Sequence, residues 1–147
     1  MIDVVLHNRT HTRAYSEAFF RRVAVAAEPY LKVPAGLTAE IGISLIGSAR
    51  MRALNRRYRG HDKSTDVLSF PLSTPPIKGY TAISLGDMFI SPADVAVKAT
   101  ENGRSAREQM AWTVVHGLLH LAGHDHERGP AAAKTMYALE KKILKKL

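Results

Sequence analysis

The chain contains no cysteine among its 147 residues. That absence excludes disulfide bridges and every zinc site built on thiolates, and it fits a cytoplasmic protein. Long apolar runs are also missing, since no stretch approaches the roughly 20 residues that a membrane-spanning helix needs. The N-terminus reads as a strand and lacks the charged start and small-residue cleavage site of a signal peptide. We therefore expect a protein without a membrane-embedded part.

Acidic residues are scarce relative to basic ones. The chain contains 13 Asp and Glu residues and 21 Lys and Arg residues, which gives a net charge of +8 and a pI near 10.0. A small basic domain suggests an anionic partner, either nucleic acid or a membrane surface. No internal repeat, low-complexity tract or linker interrupts the sequence. The length therefore predicts one domain over residues 1–147.

Hydrophobic periodicity and end signals predict four strands and five helices in the order βαβαββααα. The strands are predicted over residues 2–7, 39–46, 66–70 and 81–90. The helices are predicted over residues 13–31, over 49–58 with Ser48 as the cap, from 91–92 to 102–103, from a capping box over 105–108 through the histidines, and from 129–130 onward. This order is typical of class α+β. We expect a single domain with a small mixed four-stranded sheet, about five helices packed on it, and a central helix that carries histidines.

Two segments between these elements carry further signals. Residues 72–80 are predicted to form a loop, because prolines and a glycine cluster there. Gly86 lies inside a predicted strand, where it indicates a bulge or a close approach of another backbone.

Three histidines form the most informative pattern in the chain: His116, His120 and His126. The first two are four residues apart, so a helix places both on one face. Gly123 lets the chain leave the helix, and His126 can then turn back toward the pair. Three neutral imidazoles that converge make a tripod for a divalent ion, for which Zn²⁺ is the best match, with one ion per chain. A tripod leaves the fourth position open to water, as in catalytic zinc sites.

The spacing also matches the metzincin pattern of metalloproteases, H-E-x-x-H-x-x-G-x-x-H, at every fixed position except one. Gly117 stands where that pattern has its catalytic Glu. A metalloprotease therefore stays open as an alternative only if a loop residue such as His124 or Asp125 replaces the base. A second alternative is a non-catalytic, zinc-stabilised binding module, in which His124 would close the metal site as a fourth ligand.

Arginines cluster upstream of the histidines. On a helix, Arg52, Arg56 and Arg59 fall opposite the apolar face. Such a run is either an ordinary solvated helix face or a phosphate-binding surface, because guanidinium groups hold phosphate oxygens in pairs and keep their charge. The pattern alone leaves both interpretations open.

Three motifs together resemble one family. The run His116 to His126 resembles the H-G-x-L-H-L-x-G-[YH]-D-H motif of the YbeY family of bacterial metal-dependent endoribonucleases. The run Leu54–Pro71, LNRRYRGHDKSTDVLSFP, resembles a second hallmark of that family, and Leu85–Ile90, LGDMFI, resembles a third. The motifs occur in family order over the middle and C-terminal parts of the chain, which makes the resemblance specific.

The resemblance implies a zinc-dependent, single-strand-specific endoribonuclease in the maturation of small-subunit ribosomal RNA and in ribosome quality control. It implies zinc at His116, His120 and His126, and a functional role for Arg59. It also implies a cytoplasmic protein that contacts ribosomal RNA, the ribosome or its small-subunit proteins, and an assembly GTPase. With these partners, the non-catalytic alternative becomes a zinc-stabilised ribosome-binding module.

A mechanism follows as a hypothesis. Zinc at His116 and its partners would activate water or polarise the phosphate, while Arg59 would bind the scissile phosphate and stabilise developing charge. Asp66 and Asp87 are candidates for orienting a histidine, although a local structural role is favoured for each.

Overall fold

The computed structural model describes residues 1–72 and 75–147. Its strands are β1 (Ile2–Asn8), β2 (Thr38–Leu45), β3 (Val67–Pro71) and β4 (Ala82–Ile90). Its α-helices are α1 (Glu17–Ala27), α2 (Ser48–Arg59), α3 (Pro92–Glu101), α4 (Ala106–Leu121) and α5 (Pro130–Leu144). Single 3₁₀ turns cover Glu28–Tyr30 and His126–Arg128. The order of elements confirms the predicted succession and class α+β.

The strands form one mixed sheet in the order β1-β2-β4-β3. β2 is parallel to both β1 and β4, with Ile43 opposite Met88, whereas β3 runs antiparallel to β4. β3 is therefore an edge strand, and α4 packs against it as well as against β4. This arrangement brings the edge of the sheet next to the helix that carries the histidines.

The core lies between one face of the sheet and helices α1 and α4. Along β2 the residues that face this core alternate, and Ile41, Ile43 and Leu45 are completely buried. In α4 Met110, Val114 and Leu118 are also fully buried, which confirms that the histidine-bearing helix is central. A smaller cluster of Ile46, Met51 and Leu68 packs α2 against the opposite face of the sheet. No helix in residues 1–72 and 75–147 has both the length and the apolar composition needed to cross a membrane.

Helix α1 is shorter than the predicted span of residues 13–31. It begins at Glu17, because Ser16 caps it by accepting a hydrogen bond from the Phe19 N–H. The predicted first residues are bonded locally instead, since the Ala14 N–H donates to the Thr12 hydroxyl at 3.2 Å. The helix ends before Pro29, which has no N–H to donate, and the chain continues as a 3₁₀ turn.

Two other predicted details also change. The predicted cap at Ser48 is wrong: Gly47 occupies the cap position, and the Ser48 hydroxyl donates instead to Asp94 at 3.1 Å. The predicted loop 72–80 includes residues 73–74, which lie outside the described part of the chain. The capping box over residues 105–108 is confirmed on its serine side, because Ser105 Oγ accepts from the Glu108 N–H at 3.1 Å.

Gly86 confirms both features that its place in a strand predicted. The register between β2 and β4 shifts at this point, where Glu40 pairs with Ser84 and Ile41 with Gly86, so Leu85 is the extra residue of a bulge. Gly86 also has φ +122°, and a Cβ there would overlap the carbonyl oxygen of Phe70 in β3. Both the backbone angle and the space therefore require glycine.

Gly86→Ala should lower the free energy of unfolding by about 2 kcal/mol or more, because it adds steric overlap to an unfavourable backbone angle. Urea denaturation followed by circular dichroism measures the change. Gly36→Ala is the matched control, since Gly36 also has a positive φ (+81°) but open space around it. Equal losses in the two variants would contradict the role given to the Phe70 contact.

Candidate metal centre

Helix α4 and the turn that follows it bring three histidines together. His116 and His120 lie one turn apart on α4, and Gly123 (φ +93°) reverses the chain directly after the helix. The Asp125 side chain accepts from the Glu127 N–H at 2.9 Å and so caps the next 3₁₀ turn. His126 is the first residue of that turn, which directs it back toward the pair. The ring centroids are separated by 4.6 Å (116–120), 5.2 Å (116–126) and 5.2 Å (120–126).

The ligand atoms of this group suit a single metal ion. One ring nitrogen from each histidine lies within 4.8 Å of the other two. The Nε2 atoms of His116 and His120 are 3.1 Å apart. Two nitrogens that bind one tetrahedral zinc at 2.0–2.1 Å are separated by about 3.3 Å, so this pair is already close to the required spacing. His126 is the exposed member and has the most freedom to adjust.

The local electrostatics favour the neutral imidazole that a metal needs. Burial lowers the pKa of His120, and the positive charge that His116 and His126 can carry lowers it further. A lower pKa keeps the lone pair of His120 available at neutral pH. The group can therefore act as a ligand without first losing a proton.

Glu140 is a buried carboxylate that contacts this group. It lies on α5 with 7% of its surface exposed, and its Oε1 is 2.7 Å from Nδ1 of His116. A carboxylate only accepts, so Nδ1 of His116 carries the proton and Nε2 is left as the lone pair. Sequence reasoning missed Glu140, although one signal was available. It shares the buried face of α5 with Met136 and Ile143, where a lone acid needs a partner.

The three other polar residues considered near the site lie outside the histidine group. His124 is not part of the cluster. Burial lowers the pKa of His124, and the positive charge of nearby Lys32 lowers it further.

Asp66 binds no histidine but accepts hydrogen bonds from Thr113 Oγ1 at 3.1 Å and from Lys98 Nζ at 3.4 Å. Asp87 is exposed on β4, with its carboxylate over Gly42. Neither carboxylate orients a histidine, but the two Asp66 contacts are long-range: they join the start of β3 to α3 and α4.

Arg59 reaches the same cleft from the other side of β3. It is the last residue of α2, and its Nη2 donates to the carbonyl oxygen of Ser69 at 2.8 Å. Its guanidinium also lies over the Phe70 ring, 5.2 Å from the centroid. A guanidinium has five N–H donors, so the bond to Ser69 fixes the group while leaving donors for a phosphate.

The other two predicted phosphate contacts lie elsewhere. Nε and Nη2 of Arg52 donate to the two carboxylate oxygens of Asp62 at 2.9 and 3.1 Å. The Arg52 hydrogen bonds hold the pKa of Asp62 below its usual range. Neither Arg52 nor Arg56 lines the cleft that contains the histidines. Their contribution to phosphate binding stays a prediction.

A single cleft of about 730 Å³ joins the two parts of the site. Its walls include Arg59, all three histidines and the exposed edge of β3. The loop after α2 forms another wall and is held by buried Asn55, whose side chain donates to the Lys63 carbonyl at 2.8 Å. An imidazole cluster and a fixed guanidinium thus face the same open volume, where a phosphate could contact both.

At Gly117, helix α4 approaches the sheet closely. A Cβ at this position would overlap Sδ of Met88 and lie 3.1 Å from Oγ of Ser69. The Ser69 hydroxyl in turn donates to the Gly117 carbonyl at 3.3 Å. Position 117 therefore packs against β3 and β4, and a glutamate has no room there. This close packing is the physical reason for a glycine in the middle of a helix.

Comparison with known proteins identifies a consistent set of relatives. The family model described as Endoribonuclease YbeY matches residues 5–147. A protein named Endoribonuclease YbeY from Anaeromyxobacter sp. (strain Fw109-5) is 45% identical over 90% of this chain and 66% of its own length. Another of that name, from Halorhodospira halophila, is 40% identical over 91% of this chain and 86% of its own length.

A solved structure shows the same fold. The solution structure of a Thermotoga maritima protein superimposes with a TM-score of 0.61 at 27% sequence identity. The match covers 98% of this chain and 87% of that protein.

Gly117→Glu, which restores the metzincin motif, should destabilise the protein by about 3 kcal/mol or more, because it forces a buried, unpaired carboxylate into occupied space. Urea denaturation measures the loss. Gly47→Glu is the control, since Gly47 has an ordinary φ of −76° and a Cβ added there would have no other atom within 4 Å. A stable Gly117→Glu protein would show that position 117 can face the cleft.

Proposed function

Since this chain belongs to the YbeY family of endoribonucleases, we propose that it is a metal-dependent endoribonuclease that cleaves phosphodiester bonds in single-stranded RNA. The observation that carries the proposal is the shared cleft, in which the histidine cluster and the Arg59 guanidinium face one open volume. The net charge of +8 favours a polyanionic substrate.

The proposed ligands are His116, His120 and His126, and zinc is the proposed ion because three neutral imidazoles with an open fourth position match its catalytic sites. A bound zinc would supply Lewis acidity toward water or a phosphoryl oxygen. Glu140 holds the His116 ring through Nδ1, so that Nε2 points into the cleft. Arg59, held by Ser69 and Phe70, binds the scissile phosphate and stabilises the charge that develops as the bond breaks. His116 and Arg59 are thus the proposed catalytic residues.

Two observations count against the alternatives. A peptidase of the metzincin type needs a glutamate next to the first histidine, and Gly117 packs against the sheet at that place. A closed, purely structural zinc site needs a fourth protein ligand, and in the described residues the candidate cluster contains three histidines, with His124 outside it. Both observations favour an open site that acts on RNA.

The finer parts of the proposal rest on the family resemblance. They are a single endoribonuclease domain over residues 1–147, small-subunit ribosomal RNA as the substrate, and a role in ribosome quality control. Small-subunit ribosomal proteins and an assembly GTPase are the proposed partners, and the cytoplasm is the proposed location. The absence of cysteine agrees with that location.

An RNA cleavage assay tests the activity. The zinc-loaded protein should cleave a structured RNA within its single-stranded loops. Arg59→Ala should lower kcat/KM about 100-fold, because it removes one stabilising donor, and His116→Ala should abolish cleavage by removing a ligand. Arg57→Ala is the matched control and should cleave at close to the wild-type rate, since Arg57 lies on the same helix but does not line the cleft. Undiminished cleavage by both Arg59→Ala and His116→Ala would contradict the proposal.

A metal-affinity measurement tests the role of Glu140 separately. Glu140→Gln should weaken zinc binding by about 10- to 100-fold, because a neutral amide orients and polarises His116 less effectively. Competition with a chromophoric chelator gives the dissociation constant without reference to activity. Glu127→Gln is the control, since Glu127 lines the same cleft but is exposed and is not bonded to a histidine. If the two variants bind zinc equally well, Glu140 does not position His116.

A further inference from the structure

A second, smaller cavity of about 210 Å³ lies beside the metal centre. It shares three lining residues with the main cleft: Asp66, Lys98 and His116. We call it the side cavity. Because the two volumes meet at His116, a chain that crosses the main cleft can place a neighbouring group in the side cavity. Its volume is below the roughly 300–1,000 Å³ of pockets for drug-sized ligands, so it suits a single ring system.

An aromatic pair forms one wall of the side cavity. Trp112 on α4 and Tyr137 on α5 stack with their centroids 5.8 Å apart and their planes at 23°. The Arg104 guanidinium lies over the Trp112 ring at 4.2 Å, and Lys141 Nζ lies 5.0 Å from the Tyr137 centroid. Half of the Tyr137 surface is exposed. Exposed aromatic rings flanked by cations are the usual platform on which proteins stack the bases of a single strand.

The charges in the side cavity favour a neutral ligand. Lys98 is paired with Asp66 at 3.4 Å. The lining also contains the cation Arg104 and the carboxylate Glu140, which is bonded to His116, so the formal charges of two cations and two carboxylates cancel. A phosphate gains little in such a place. A nucleobase, in contrast, is planar and uncharged and suits an aromatic wall.

Side-chain amides add polar groups to the lining of the cavity. Gln109 is 3% exposed, and its Oε1 accepts from Asn102 Nδ2 and Arg104 Nη1, each at 3.1 Å. Amides of this kind hydrogen-bond the edges of bases. The Arg104 guanidinium occupies the face of Trp112 on which a base would stack. Because its side chain is long, the guanidinium can move off the ring when a base binds and hydrogen-bond a flanking phosphate.

We propose that the side cavity binds one nucleobase of the single-stranded RNA substrate, next to the phosphate at Arg59 and the histidines. The inference rests on the proposed function and deepens it. It makes Trp112 and Tyr137 substrate-binding residues that fix which nucleotide lies beside the cleaved bond.

The fluorescence of Trp112 reports on this contact directly, because Trp112 is the only tryptophan in the chain. The probe is a short single-stranded 2′-O-methyl oligonucleotide with phosphorothioate linkages, which resists cleavage, added to the zinc-loaded protein. Its bases should quench the emission of Trp112. An abasic oligomer of equal length and charge should leave the emission unchanged and should bind about 10-fold more weakly by fluorescence anisotropy.

Variants extend the test. Trp112→Leu and Tyr137→Leu should each weaken oligonucleotide binding about 10-fold while zinc affinity stays the same, and Trp112→Phe should retain most of the binding. Tyr30→Leu is the matched control, because Tyr30 also has a lysine over its ring, Lys146 at 5.2 Å, but lines neither cavity. Circular dichroism checks the fold of each variant.

The outcomes separate the two proposals. Oligonucleotide binding without a change in Trp112 emission, together with wild-type affinity in Tyr137→Leu and Trp112→Leu, would overturn the base site and leave the endoribonuclease proposal intact. If the zinc-loaded wild-type protein neither binds the oligonucleotide nor cleaves RNA, both proposals are overturned.

Discussion

The close contact between α4 and the sheet at Gly117 determines how the rest of the site is arranged. Without a side chain at this position, the helix lies against Met88 of β4 and Ser69 of β3. The Ser69 hydroxyl binds the Gly117 carbonyl, and the Ser69 carbonyl accepts the hydrogen bond from Arg59. One residue of the edge strand therefore connects the histidine helix to the arginine. The spacing between the proposed metal and phosphate contacts follows from backbone packing rather than from flexible side chains.

Hydrogen bonds of buried and half-buried polar groups then hold the parts that surround this contact. Asp94, at the start of α3, accepts hydrogen bonds from Ser48, Ser64 and Ser91, and so connects the start of α2, the loop before β3 and its own helix. Asn55 supports the same loop from inside. On the other side of α4, Glu140 holds His116 from α5. No described buried side-chain N or O lacks a hydrogen-bond partner, as expected of a site whose geometry is fixed before substrate arrives.

Local patterns in the sequence were sufficient for the order of elements and for the histidine cluster. His116, His120 and Gly123 act through helix periodicity and a turn, which span only a few residues, so their arrangement can be read directly from their spacing. The two ends of α1 were harder to predict, because the Thr12 hydroxyl binds the backbone of Ala14 before the helix and Pro29 ends the helix early. The cap at Ser48 failed for a similar reason, since its hydroxyl binds Asp94, 46 residues away.

The contacts that complete the site are long-range, and no local pattern contains them. Glu140 meets His116 across 24 residues, and the Trp112–Tyr137 stack joins two different helices. By helix periodicity alone, Arg52, Arg56 and Arg59 were equivalent members of one charged face, and only the family resemblance set Arg59 apart. In the structure, the position of β3 separates Arg59, which lines the cleft, from Arg52, which is bound to Asp62. Such distinctions depend on tertiary packing, which decides the partner of each charged group.

X-ray absorption spectroscopy of the zinc-loaded protein tests the central claim most directly, because it counts the atoms around the ion. The account predicts three imidazole nitrogens at about 2.0–2.1 Å and one further light atom that does not come from the protein. Substitution of His124 should leave the spectrum unchanged, whereas substitution of His126 should remove one imidazole. A shell of four imidazoles, or one that loses a ligand when His124 is replaced, would contradict an open site formed by His116, His120 and His126.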